Sequence, residues 1–169
     1  MFVVVVTGPP GSGKTVTLTA LSDALVRDGV AHAAVDVDEV AWAYPYPDLA
    51  QRCEHLRVWR AAHRSAGYET LLVAEVIESA AHLDDVLAAL DADDHLLVRL
   101  DAALETLRQR IIAREPPGWV GLDHLLAETP ELQVALAELD GVQAVVDTEN
   151  STFTQIVDQI RSARPDMLS

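Results

Sequence analysis

A glycine-rich loop, Gly8-Pro9-Pro10-Gly11-Ser12-Gly13-Lys14-Thr15, separates the apolar run Phe2–Val6 from a stretch of helical periodicity. It fits G-x-x-x-x-G-K-[ST] at every position, in the strand-to-helix context that gives the pattern meaning. The glycines let the backbone wrap closely with its N–H groups pointing inward, and the helix N-terminus adds positive potential. A polyanion is what such a cradle suits. Lys14 is the only lysine in the chain, and it stands where an ammonium can neutralise terminal phosphates. The lack of a second lysine removes the N-K-x-D guanine reader, and with it the GTPase reading. The spacing therefore predicts a nucleotide-phosphate site on Gly8, Gly11, Ser12, Gly13, Lys14 and Thr15, with the Thr15 hydroxyl available to Mg²⁺.

The rest of the pattern alternates strand and helix. Val3–Val6, Ala31–Val37, Leu71–Ala74, His95–Leu100 and Val142–Val146 read as strands. Helical stretches separate them, at Lys14–Asp28, Asp48–Ser65, Ser79–Leu90, Ala102–Arg114, Thr129–Leu139 and from Ser151 or Thr152 to Ala163. Asp101 reads as an N-cap and Thr129-Pro130 as a helix start. Apolar strands joined by helical crossovers mean a parallel sheet covered on both faces. The 169 residues suit a single domain, with a mobile flap or lid at about 114–130 and an acceptor-binding region at about 39–68.

Charge and cysteine usage narrow the partners. Twelve Lys and Arg against 27 Asp and Glu leave a net charge of −15, which disfavours nucleic-acid backbones and anionic membranes. One cysteine, Cys53, allows no internal disulfide and points to a reducing, cytoplasmic setting. The expected state is a monomer or a homodimer.

Carboxylates cluster where ligands gather, beyond the carboxyl ends of the strands. Val35-Asp36-Val37-Asp38 closes the second strand, and alternation would turn both acids to one side if the strand continues. Asp36 is a candidate Mg²⁺ partner and Asp38 a candidate base for an acceptor hydroxyl. Glu75 follows the third strand as a metal, water or substrate ligand. Arg110 and Arg114 share a helix face before Glu115-Pro116-Pro117-Gly118-Trp119, where lid closure would bring an arginine onto transferring phosphate. Five of the eight aromatics, with Arg52, Arg57, Arg60 and Arg64, lie between positions 42 and 68. Arg57 and Arg60 are the expected substrate contacts there.

With these residues in hand, the chain resembles the small P-loop kinases. That group includes shikimate and gluconate kinases, adenylate-kinase-like enzymes and chloramphenicol phosphotransferase-like antibiotic kinases. Asp36-Val37-Asp38 looks like the D-x-D of the shikimate group, and Asp38 matches the single aspartate of the antibiotic kinases. The resemblance implies an α/β, three-layer P-loop NTPase fold with a five-stranded parallel sheet in the order 2-3-1-4-5 and a small lid. It implies an enzyme moving the γ-phosphoryl group of ATP, with Mg²⁺, to a small-molecule hydroxyl. Lys14, Asp38 and Arg114 would be catalytic, and Arg110 would lie near adenine. Alternative readings are a slow ATPase regulatory module without an acceptor, and a zeta-toxin-like kinase of a nucleotide-sugar.

Overall fold

The computed structural model describes residues 1–166 and Leu168. Its strands are β1 (Phe2–Thr7), β2 (His32–Asp36), β3 (Thr70–Ala74), β4 (Asp94–Asp101) and β5 (Ala144–Asp147). Its helices are α1 (Lys14–Arg27), α2 (Val37–Val40), α3 (Leu49–Ser65), α4 (Ala80–Leu90), α5 (Leu104–Arg114), α6 (Leu122–Ala137) and α7 (Phe153–Ala163). The five strands form one parallel sheet in the order β2-β3-β1-β4-β5, the order that the resemblance implies.

β1 lies at the centre, with Val4 opposite Leu72 of β3 on one side and Leu96 of β4 on the other. All six of its residues are buried. Strand alternation divides this run between two cores. Phe2, Val4 and Val6 pack with Leu21 and Leu25 of α1 and Ile156 and Ile160 of α7. Val3 and Val5 pack with Cys53 and Leu56 of α3 and with Leu83 and Val86 of α4. The molecule is thus three layers deep, and a continuous apolar run is what a strand covered on both faces requires. Among the described residues no helix is long and apolar enough to cross a membrane.

Three local expectations are corrected. β2 stops at Asp36, and Asp38 sits in the single turn of α2. Asp36 is extended there (φ −94°, ψ 120°) and its carboxylate accepts the Asp38 N–H, capping that turn. Alternation along a strand therefore does not relate the two acids.

Thr129-Pro130 does not start a helix: α6 begins at Leu122 and carries Pro130 inside it. Proline gives up its own ladder bond and crowds the carbonyl four residues back, and beside it the buried Thr129 hydroxyl donates to the Leu125 carbonyl at 2.6 Å. The non-helical part of the expected lid shrinks to residues 115–121.

Asp101 ends β4 rather than capping α5, its carboxylate accepting from the Ala102 N–H. Glu149, from the loop after β5, takes the capping role. It accepts the Ala103 N–H at 2.9 Å and the Thr106 hydroxyl at 2.8 Å.

Leu97 of β4 is fully buried in the α3/α4 core. Leu97→Ala should cost about 2–5 kcal/mol and lower Tm by roughly 5–15 °C. Paired urea and thermal unfolding of the variant and wild type checks this; a shift within about 2 °C would mean that this layer is not close-packed.

Candidate functional site

The glycine loop leaves β1 at its carboxyl end and turns into α1 at Lys14. Gly11 takes φ +79°, and a Cβ there would lie 2.6 Å from the Leu107 carbonyl oxygen. Only glycine serves at that position. Gly13 caps α1 without any side-chain hydrogen bond, so the first-turn N–H groups are not spent on a capping side chain. The Ser12 hydroxyl is buried and has no hydrogen-bond partner among the described residues. An open helix N-terminus and an orphaned hydroxyl within the same loop fit a phosphate group.

Lys14 arches over its own loop, its Nζ donating to the Gly8 carbonyl at 2.9 Å. Burial lowers its pKa, while the charges of Asp38, Asp36 and Glu75 raise it. The ammonium thus feels the charge of three carboxylates, those of Asp36 and Glu75 at the ends of β2 and β3 and that of Asp38 in α2. The Thr15 hydroxyl donates to Asp36 Oδ2 at 2.5 Å, tying α1 to the end of β2. Asp38 Oδ1 accepts the Tyr46 hydroxyl at 2.7 Å. That bond, second to burial as a cause, pushes the phenol's pKa up.

These groups meet. A cavity of about 250 Å³ is lined by Lys14, Thr15, Asp36, Asp38, Arg110 and Arg114, with loop glycines at its floor. Arg114 is paired with the neighbouring Glu115. Arg110 is more tightly held: it donates to the Thr148 hydroxyl at 3.0 Å and the Thr148 carbonyl at 2.9 Å, and its Nη1 lies 3.4 Å from the Gly11 carbonyl. It straps the loop after β5 to the glycine loop. On its far side a second cavity of about 460 Å³ opens between Ser12, Val16, Thr148, Phe153 and Ile156. Other grooves, of about 420 and 530 Å³, lie elsewhere, but no glycine-loop residue lines either.

Glu75 is buried at the end of β3, and its Oε1 accepts the Val76 N–H. Its Oε2 lies 3.8 Å from Arg52 Nε. Arg52 also donates to the Pro47 carbonyl at 3.2 Å and sits 5.5 Å from the centre of the Tyr46 ring. The structure does not bring Arg57 and Arg60 to this place. Arg57 pairs with Glu54 in solvent, and Arg60 faces Asp91, beyond the far end of α4.

The cause is the direction of α3. Its N-terminus lies by the site, and eight residues of helix carry Arg60 roughly 12 Å farther along the axis than Arg52. Of the aromatics and arginines that the sequence places in 42–68, Tyr46 and Arg52 are the ones beside Asp38 and Glu75. The Asp48–Gln51 capping box was the available signal, because it marks which end of the helix comes first.

The AAA domain family matches residues 3–136 of the chain. No curated protein matches the sequence. Solved structures share the fold across nearly the whole length. A sugar kinase from Janibacter sp. HTCC2649 is 18% identical, covering 99% of this chain and 95% of its own at a TM-score of 0.70. A gluconokinase from Sinorhizobium meliloti 1021 is 19% identical, with coverages of 98% and 92% and a TM-score of 0.63. The APS kinase of Mycobacterium tuberculosis, in complex with AMPPNP and APS, is 19% identical, with coverages of 98% and 96% and a TM-score of 0.60.

Burial raises the Glu75 carboxyl from 4.5 to about 7, with Asp38 adding to the shift and Arg52 opposing it. The folded chain therefore holds this proton more tightly than the unfolded chain. The stability it contributes is fully present below about 4.5 and is lost as pH rises through about 7. Relative to Glu75→Gln, the wild type should lose roughly 3 kcal/mol across that window. Urea unfolding of both proteins at stepped pH measures the difference; a flat or opposite trend would show that the carboxyl ionises as freely as in water.

Proposed function

Because this chain belongs to the AAA domain family and shares its fold with small kinases, we propose that it is an ATP-dependent kinase of a small-molecule hydroxyl, built as a single domain. One observation carries the reading. A lysine, a threonine hydroxyl, two aspartates and two arginines, from the start of α1, the β2–α2 junction and α5, line one 250 Å³ cavity on a glycine loop. Phosphoryl transfer needs little covalent chemistry from a protein; it needs positioning and charge.

The roles follow from placement. The loop N–H groups and Lys14 hold the β- and γ-phosphates, Lys14 moving from the Gly8 carbonyl to phosphate oxygen. The base lies in the cavity beside Val16 and Phe153, on the far side of Arg110. Arg110 keeps the two halves of the nucleotide site in register by bridging Thr148 and Gly11. Thr15 and Asp36, already 2.5 Å apart, would hold Mg²⁺, which typically takes one or two protein ligands plus phosphates and water. That ion would neutralise charge developing on the phosphates. Among the described residues no group of three His, Cys, Asp or Glu side chains offers a metal site independent of the nucleotide.

Asp38 is the base. Tyr46 occupies Oδ1, and Oδ2 has no hydrogen bond among the described residues, so it is the oxygen that accepts the proton of the acceptor hydroxyl. Arg114 exchanges Glu115 for the transferring phosphoryl group when segment 115–121 closes. The acceptor lies between Asp38, Tyr46, Arg52 and Glu75, within the proposed acceptor region at 39–68 and the adjoining end of β3.

Two variants separate binding from transfer. Lys14→Met should abolish the heat of Mg-ATP binding in calorimetry. Asp38→Asn should leave ATP affinity within a few-fold yet lower phosphoryl transfer about 10²–10⁴-fold, measured as ADP release with an acceptor. Full turnover by Asp38→Asn would overturn the base assignment, and absence of ATP binding by the wild type would overturn the kinase reading.

A further inference from the structure

Resting on the kinase reading, we propose that the acceptor is a polyhydroxylated compound without an anionic group, selected by the Arg52–Glu75 pair. The acceptor half of the cleft holds no spare cation. Of the four arginines on α3, Arg57 is spent on Glu54, and Arg60 and Arg64 on Asp91. Arg52 alone reaches the site, and it arrives already opposed by Glu75. Asp36 and Asp38 add two more carboxylates at the neighbouring strand end. With Lys14, Arg110 and Arg114 of that cavity assigned above to the nucleotide, an acceptor carboxylate or phosphate would find one guanidinium and, above about pH 7 where Glu75 is ionised, three acids. Like charges set together at low dielectric cost several kcal/mol and serve to reject the wrong ligand.

The pair suits a hydroxyl instead. Arg52 Nε and Glu75 Oε2 are 3.8 Å apart, too far for a hydrogen bond. Arg52 Nε is buried with no hydrogen-bond partner among the described residues. A guanidinium only donates and an ionised carboxylate only accepts, whereas a hydroxyl does both. Hydroxyls set against the pair satisfy Arg52 and Glu75 together without adding charge. The pair is also held in place before any acceptor arrives. Arg52 is fixed by the Pro47 carbonyl and the Tyr46 ring, and Glu75 by the Val76 N–H. Tyr46 in turn holds Asp38, so the selecting pair and the base share one scaffold. Trp42 and Tyr44, almost wholly exposed on the same loop, offer aromatic faces to the C–H side of a polyol ring.

The test is ADP release at about pH 8, where Glu75 is ionised, on matched acceptors: glucose and myo-inositol against glucuronate and gluconate, with wild type and Glu75→Gln. The wild type should favour the neutral members by at least about tenfold in kcat/KM. Glu75→Gln leaves Arg52 unopposed, so the neutral-to-anionic ratio should fall by about tenfold or more. Preference of the wild type for the carboxylates overturns the proposal and leaves the kinase reading standing. So does a Glu75→Gln variant that lowers both classes equally, which is the mark of a merely structural pair. If calorimetry shows ATP bound but none of the four compounds is phosphorylated, the proposed selectivity fails. If ATP is not bound at all, the kinase reading fails first.

Discussion

Burial of β1 on both faces is the constraint on which everything else hangs. A strand with no exposed residue must lie in the middle of a covered sheet, and its carboxyl end then opens into the crevice where neighbouring strands also finish. The glycine loop emerges there, with Asp36 and Glu75 arriving at the ends of β2 and β3. Thr15 makes the join explicit by hydrogen bonding across to Asp36. The site is therefore a property of strand order: reversing one neighbour would leave Lys14 without its carboxylates.

Charge is distributed in the site with economy. The chain carries −15 overall, yet its one lysine sits within the field of three acids while burial works against its proton. Arg52 is set against Glu75, and Arg114 against Glu115 at the end of α5. Arg52 and Arg114 each lie beside a carboxylate, whereas Lys14 donates to the Gly8 carbonyl. Arg110 too is fixed by neutral acceptors, Thr148 and the Gly11 carbonyl.

How much of this was legible depends on the range of the interaction. The glycine loop, the apolar β1 and the arginines of α5 are local patterns, and the structure puts Lys14, Thr15, Asp36, Asp38, Arg110 and Arg114 around one cavity. Glu149 capping α5 across 46 positions leaves no trace in the sequence near the helix it serves. Pro130 misled because its helix-breaking tendency was outweighed by turns on both sides of it. Composition does not distinguish Arg52 from Arg57 and Arg60, because it ignores that a helix 17 residues long has one end beside Glu75 and the other far away.

The sequence by itself determined the layered α/β class, the phosphate cradle and the residue types at the strand ends. Those depend on backbone stereochemistry and on hydrophobic periodicity, both of which act within a few residues. Only the tertiary structure decided which arginine meets Glu75, that Tyr46 holds Asp38, and that the remaining arginines of α3 are neutralised elsewhere. Those pairings are set by helix direction and by the packing of α3 on α4, distances that no local run of residues encodes.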